Sequence, residues 1–181
     1  MKVKTQDVRN IVKILDDIVA QYKEEHKKKL FVYSFKVMDL KSRMYVGFGI
    51  SFKSEKEAFF ETIRMIKKTS IKLSSIRLDR YYSCQEYVKL IRERFGDVKI
   101  TIIPKSNVTV KAEDWEWKRI LYDFTMDPII YLEDYFQRNQ SESGFSEDKK
   151  RTGWQLGQKR ADRIDTADML TSLWHNLSWL G

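Results

Sequence analysis

Tyr135, Arg138, Glu142 and Lys149 follow one another at steps of three, four and seven residues. With Tyr135 at zero and about 100° per residue, Arg138 falls near 300°, Glu142 near 340° and Lys149 near 320°, so a helix puts all four on one narrow face. The stretch that carries them is therefore expected to be a single helix over about residues 128–150, with Asp127 as its cap and Pro128 at its first position. Gly144 costs such a helix about 1 kcal/mol relative to alanine and is the expected place for a bend beside Glu142.

Upstream, helical and strand patterns alternate. Val8, Ile11, Val12, Leu15, Ile18, Val19 and Tyr22 recur at three- and four-residue spacing, which predicts a helix over 5–28 capped by Thr5 and ending in the charged run Lys23 to Lys29. The pattern then changes to Phe, Tyr, Val and Ile over 30–38 and 43–52, with Asp39-Leu40-Lys41-Ser42 between them, the signature of a β-hairpin. Ser54-Glu55-Lys56-Glu57 and Ser83-Cys84-Gln85-Glu86 read as capping boxes, opening helices that run to about Lys68 and to Phe95, where Gly96 stops the second. A short strand ending at Asp79 lies between these helices, and another covers 98–103. Helices over about 113–125 and 161–179 complete the order; the last bears an apolar stripe of Ile164, Ala167, Leu170, Leu173, Trp174 and Leu177. No internal repeat is visible.

The chain has 181 residues, 42% hydrophobic and 13% aromatic, which is enough for one domain with a sizeable core. Its net charge of +8 favours a polyanionic partner, a weak argument by itself. Cys84 is the sole cysteine, so no intrachain disulfide can form and a reducing, cytoplasmic setting is expected. His26 and His175 stand far apart with no cysteine ligand set, which argues against zinc. No run of 18 or more apolar residues is present, and Asp7 and Asp16 fall where a signal peptide would be apolar, so neither a membrane span nor secretion is expected.

The spacing Y-x2-R-x3-E-x6-K resembles the signature of insertion-sequence transposases of the DDE class, and this chain's composition would produce it by accident with a chance of roughly half a percent. Other stretches agree. Residues 75–83, Ser-Ile-Arg-Leu-Asp-Arg-Tyr-Tyr-Ser, look like that family's second-aspartate element, and 102–107, Ile-Ile-Pro-Lys-Ser-Asn, are similar to the strand and turn that follow it. The resemblance runs from about Lys29 to Gly181. It implies a ribonuclease-H-like (retroviral-integrase-like) α/β fold and a phosphodiester-cutting site. Asp79 and Glu142 would be catalytic metal-binding carboxylates for Mg²⁺ or Mn²⁺, and Tyr135, Arg138, Lys149 and Lys105 would hold the phosphates of DNA, the transposon ends.

That fold's first catalytic Asp ends a central strand lying between the hairpin and the second-aspartate strand. Here the residues before the hairpin read as helical, so the expectation is an incomplete fold: an N-terminal helical segment, 1–28, joined to a partial catalytic domain, 29–181. Two divalent ions about 4 Å apart drive this chemistry, bridged by a shared carboxylate, and Asp79 and Glu142 supply only two ligands. Asp39 follows an apolar strand as the first Asp should, but Asp-Leu-Lys-Ser is ordinary turn chemistry. The reading is therefore a truncated, internally deleted transposase that is inactive alone. The competing reading is a noncatalytic DNA-binding or partner-binding remnant, a homodimer or one that inhibits an intact transposase by mixed assembly. Trp115 and Trp117 rank first as core or interface aromatics and second as base-stacking rings.

Overall fold

The computed structural model describes residues 15–18, 32–107, 110, 115–153 and 156–180. The chain divides into two units, Met1–Val32 and Tyr33–Gly181. In the first, residues 15–18 are helical with Leu15 and Ile18 exposed; the remainder of the helix expected over 5–28 lies outside the described residues.

In the second unit the described elements run β1 (Tyr33–Met38), β2 (Tyr45–Ser51), α1 (Glu55–Lys68), β3 (Ser75–Arg77), a 3₁₀ turn (Arg80–Tyr82), α2 (Gln85–Phe95), β4 (Lys99–Thr101), α3 (Trp115–Met126), α4 (Pro128–Phe136), α5 (Asn139–Thr152) and α6 (Ala161–Leu180). The protein is thus a mixed α/β structure. β1 and β2 form the expected antiparallel hairpin, Tyr33 opposite Ser51 and Phe35 opposite Gly49. β3 and β4 pair in parallel, Ser75 with Lys99 and Arg77 with Thr101. Among the described residues these are two separate two-stranded sheets, so β1 and β3 are not joined by a ladder.

Side chains rather than strand hydrogen bonds connect the two sheets. Phe35 of β1 packs edge-on against Phe59 of α1 and Tyr82 of the 3₁₀ turn, with centroids 5.1 and 5.2 Å away. The Thr62 hydroxyl of α1 donates to the Phe35 carbonyl at 2.8 Å, satisfying an acceptor on the hairpin. The main core gathers Phe59 and Ile63 of α1, Ile76 and Leu78 around β3, Val88 and Ile91 of α2, Ile100 and Ile102 around β4, and Trp117 and Ile120 of α3. Gly49 explains how closely α1 lies on β2: a Cβ there would sit 2.6 Å from the Ala58 carbonyl oxygen and from the Thr62 nitrogen.

Ser54 caps α1 as expected, accepting from the Glu57 N–H at 3.2 Å, but Glu57 turns its carboxylate to the Ser51 hydroxyl, 2.7 Å away, instead of closing the box. At α2 the cap position falls to Cys84, which makes no capping bond; Ser83 instead accepts from the Lys105 N–H at 3.2 Å. Gly96, at φ +76°, ends α2 as its sequence position implies.

The helix expected over 128–150 is two helices, α4 and α5. Asp127 and Pro128 open α4 as anticipated, with the Asp127 carboxylate accepting from the Ile130 N–H at 3.1 Å. The break comes at Gln137 and Arg138, not at Gly144. There the N–H groups of Arg138, Gln140 and Ser141 bond three residues back, to Tyr135, Gln137 and Arg138, at 3.1, 3.2 and 2.9 Å, and the Ser141 hydroxyl also donates to the Arg138 carbonyl at 2.6 Å. Such tightening advances the phase to about 120° per residue, so the one-face arithmetic holds within α5 but not from Tyr135 to Lys149. Gly144 is instead a contact residue: a Cβ on it would run into Met38 Cε and lie 3.2 Å from the Tyr45 hydroxyl and 3.3 Å from His175 Cε1.

Candidate functional site

The site forms where the C-terminal end of β3 meets the junction of α4 and α5. Asp79, two residues beyond β3, caps the 3₁₀ turn by accepting from the Tyr81 N–H through Oδ1 at 2.7 Å. That bond leaves Oδ2 to face the α4–α5 junction, where an Arg138 guanidinium nitrogen lies 3.1 Å away. The same nitrogen lies 2.8 Å from Glu142 Oε1, so the two carboxylates share a single donor atom. Asp79 thus serves both as a structural cap and as a member of the carboxylate pair.

Tyr135 is buried beneath this group, with the Arg138 guanidinium 5.2 Å from its ring centroid. Burial pushes the Tyr135 phenol up from its ordinary pKa, against the opposing pull of Arg138, and the phenol stays protonated. Lys105 is held on the near side of the same turn: its ammonium donates to the Tyr81 carbonyl at 3.0 Å and lies 5.6 Å from the Tyr81 ring centroid. Lys149 is exposed in the last turn of α5, on the side of that helix that carries Glu142 and about 10 Å further along its axis. The structure therefore brings Asp79, Tyr135, Arg138 and Glu142 together and sets Lys105 and Lys149 on flanking turns.

A clamp between β3 and α4 fixes this meeting. Arg77 donates through Nε to the Asp134 carbonyl at 2.7 Å and through a terminal nitrogen to its carboxylate. Asp134 also accepts from the Thr101 hydroxyl at 2.8 Å, with the Lys99 ammonium 3.2 Å away. Burial raises the Asp134 pKa, yet the bonds from Arg77, Thr101 and Lys99 outweigh it, and the carboxyl stays below its ordinary range. One turn earlier, the Tyr131 hydroxyl accepts from the Ile102 N–H at 2.9 Å and donates to its carbonyl at 3.0 Å, satisfying the backbone just past β4.

A second polar cluster, which sequence reasoning missed, lies under the hairpin. Lys36 of β1 is buried with its ammonium 3.5 Å from Asp168 of α6 and 3.9 Å from Asp148 of α5. The Ser34 hydroxyl is 3.1 Å from Asp168, and the Tyr45 hydroxyl donates to Asp148 at 2.9 Å. Burial raises the Asp168 carboxyl pKa against the pull of Lys36 and Ser34. His175 stands 3.0 Å from Asp148 through Nδ1 and 3.0 Å from the Arg43 carbonyl through Nε2. A carbonyl only accepts, so the contact with Arg43 suits the tautomer that carries its hydrogen on Nε2. The available signal was Gly144 and Asp148 at four-residue spacing on an otherwise polar helix, facing a lysine in an apolar strand.

Other sequence candidates separate cleanly. Asp39 accepts from both the backbone N–H and the hydroxyl of Ser42, at 2.9 and 2.6 Å, which makes it a turn residue. Its side-chain bond to Ser42 is the main cause of a lowered carboxyl pKa. Trp117 is buried in the core, whereas Trp115 is exposed with the Lys118 ammonium 4.8 Å from its ring centroid. His175 belongs to the buried cluster, and His26 lies outside the described residues. Among the described residues, no group of three or more His, Cys, Asp or Glu side chains is placed to hold a metal ion, and no helix is long and apolar enough to cross a membrane.

The arrangement defines a paired-carboxylate site at a strand end with cations around it. No protein-family model and no solved structure matches the chain. It is similar to the "Probable transposase for insertion sequence element ISA1214" of Archaeoglobus fulgidus, with 38% identity over 162 residues, 88% of this chain and 49% of that protein. The chain spans about half the length of the curated protein it matches.

Proposed function

We propose that this chain is part of the catalytic domain of an insertion-sequence transposase of the DDE class, carrying the second and third carboxylates of its site, Asp79 and Glu142. The observation that carries the reading is the convergence of these two residues on one nitrogen of Arg138, above the Tyr135 ring. The similarity to the probable transposase of an insertion sequence supports it. The order of hairpin, Asp-terminated strand, further strand and Glu-bearing helix supports an incomplete ribonuclease-H-like fold, in which the first central strand would stand between β1 and β3, two strands that share no ladder among the described residues.

Hard oxygen ligands that converge on one point suit a single hydrated Mg²⁺ or Mn²⁺ held by Asp79 and Glu142. Such an ion would polarise a scissile phosphodiester and the oxygen that attacks it. Two carboxylates do not make the bridged pair that strand transfer needs. Arg138, Lys105 and Lys149 contribute phosphate contacts that position DNA without reading its sequence. The chain by itself accordingly binds DNA and does not transfer strands, which keeps the remnant reading alive as a description of the isolated chain.

The test pairs two measurements on the purified chain. Binding of a transposon-end duplex is expected to weaken in Arg138→Ala and in Lys149→Ala, with the salt dependence falling by about one unit in each. Joining of a 3′-hydroxyl DNA end to target DNA with Mg²⁺ is expected to be undetectable. Joining that Glu142→Ala abolishes would overturn inactivity while supporting the transposase reading; DNA binding unchanged in both cation variants would overturn the assignment of the site.

A further inference from the structure

The last helix is amphipathic in the reverse sense. Measured around the helix axis from Leu170, the residues Leu173, Trp174, Leu177 and Leu180 all fall in the same half of the surface, while Asp168, Ser172 and His175 fall in the opposite half. The polar side is the buried one. Asp168, Ser172 and His175 are within 7% of complete burial, held by the cluster around Lys36, whereas Leu170, Leu173, Trp174, Leu177 and Leu180 are 54, 45, 62, 60 and 70% exposed. A contiguous stripe of five large apolar side chains therefore faces solvent along three turns, where single exposed leucines would need no explanation.

We propose that this stripe is a self-association surface, on which α6 packs antiparallel against α6 of a second copy of the chain. Three observations select that occupant. The exposed part of the five side chains offers on the order of 600 Å² per copy, so two copies bring together about 1,200 Å², the lower end of a specific, stable interface. From Met169 to Leu180 the helix carries no Asp, Glu, Lys or Arg, and its one histidine is buried, so two copies of a chain with net charge +8 meet here without like-charge repulsion. The residues recur at the three- and four-residue steps that let two identical helices interdigitate about a twofold axis, with Leu173, Trp174 and Leu177 nearest the axis and Leu170 opposite Leu180 of the second copy. The inference stands on α6 alone and does not depend on the transposase reading.

Sedimentation equilibrium of the intact chain tests it. A dimer is expected that persists at high salt, because its contacts are apolar. Leu173→Glu with Leu177→Glu, both exposed and therefore compatible with folding, should raise the dissociation constant by at least about 100-fold with the melting curve retained. Trp174→Cys, one residue from the twofold axis, in a Cys84→Ser background should give an oxidised dimer in high yield, and Ser143→Cys on exposed α5 in the same background should not. A wild-type chain that stays monomeric at about 100 µM would assign the stripe to a different partner and overturn the proposal. A dimer that survives the double glutamate variant, or equal cross-linking from both cysteines, would overturn it as well.

Discussion

Asp79 just beyond β3 and Glu142 on α5 converge on a single nitrogen of Arg138, so one guanidinium offsets the repulsion between two carboxylates. A divalent ion bound by the same carboxylates must compete with that guanidinium. Arg138→Ala is therefore expected to bind Mn²⁺ more tightly than the wild type in the absence of DNA, by about 3- to 10-fold for one partly exposed ion pair. Manganese titration followed by electron paramagnetic resonance reads this directly. Equal affinity in the two proteins would mean that the ion does not use this pair.

The Arg77–Asp134 clamp makes a pH-dependent contribution of defined sign. The folded carboxyl pKa of Asp134 is lowered, so its stabilisation is fully present above the ordinary carboxylate pKa near 4 and is lost as the pH falls through the lower folded value. Asp134→Asn should cost about 1–3 kcal/mol at pH 7 and show a flatter loss of stability below about pH 4. Urea midpoints measured at several pH values give both quantities. Parallel acid profiles for variant and wild type would refute the assignment.

Breaking the buried cluster should be far more costly than breaking any exposed pair. His175→Ala leaves Asp148 with only its Tyr45 bond and the distant Lys36 ammonium, and Lys36→Ala leaves Asp148 and Asp168 facing each other without their shared cation. Each is expected to destabilise the fold by about 3–5 kcal/mol in chemical denaturation. A loss below about 1 kcal/mol in both would mean that the cluster is hydrated rather than closed.

Gly144→Ala distinguishes helix propensity from packing by its sign. Propensity alone predicts a gain of about 1 kcal/mol, because alanine replaces glycine in a helix. The contacts with Met38, Tyr45 and His175 predict a loss of about 1–3 kcal/mol, since the Met38 tip can give way but the two rings are tied into the cluster. Thermal unfolding of the variant decides between the two. A higher midpoint would show that the α5–hairpin contact yields freely.

Local chemistry made much of this legible. Ser54, Asp127 with Pro128, and Gly96 all mark helix ends where the sequence places them, because caps and stops act within one turn. The convergence of Asp79 with Glu142 was read through the signature, although the single helix assumed for that signature is broken at Gln137. That break is invisible to periodicity, since two 3₁₀ turns shift phase without changing composition. The polarity of α6 was beyond reach for a different reason. Which face of a helix is buried depends on its neighbours, and here Lys36, arriving from a distant strand, makes the polar side the inner one.

The glycines of β2 carry a consequence for the order in which the chain organises itself. Cβ atoms at Gly47 and Gly49 would strike Ile66, Thr62 and the Ala58 carbonyl, so helix and hairpin can meet backbone to backbone only because those two positions are bare. Every partner in that contact falls between Tyr33 and Lys68, a short loop to close, and the unit has its own capped helix. It is thus equipped to act as a nucleus: a block of local contacts that is expected to assemble early and to present a finished surface on which the more distant α5 and α6 can dock.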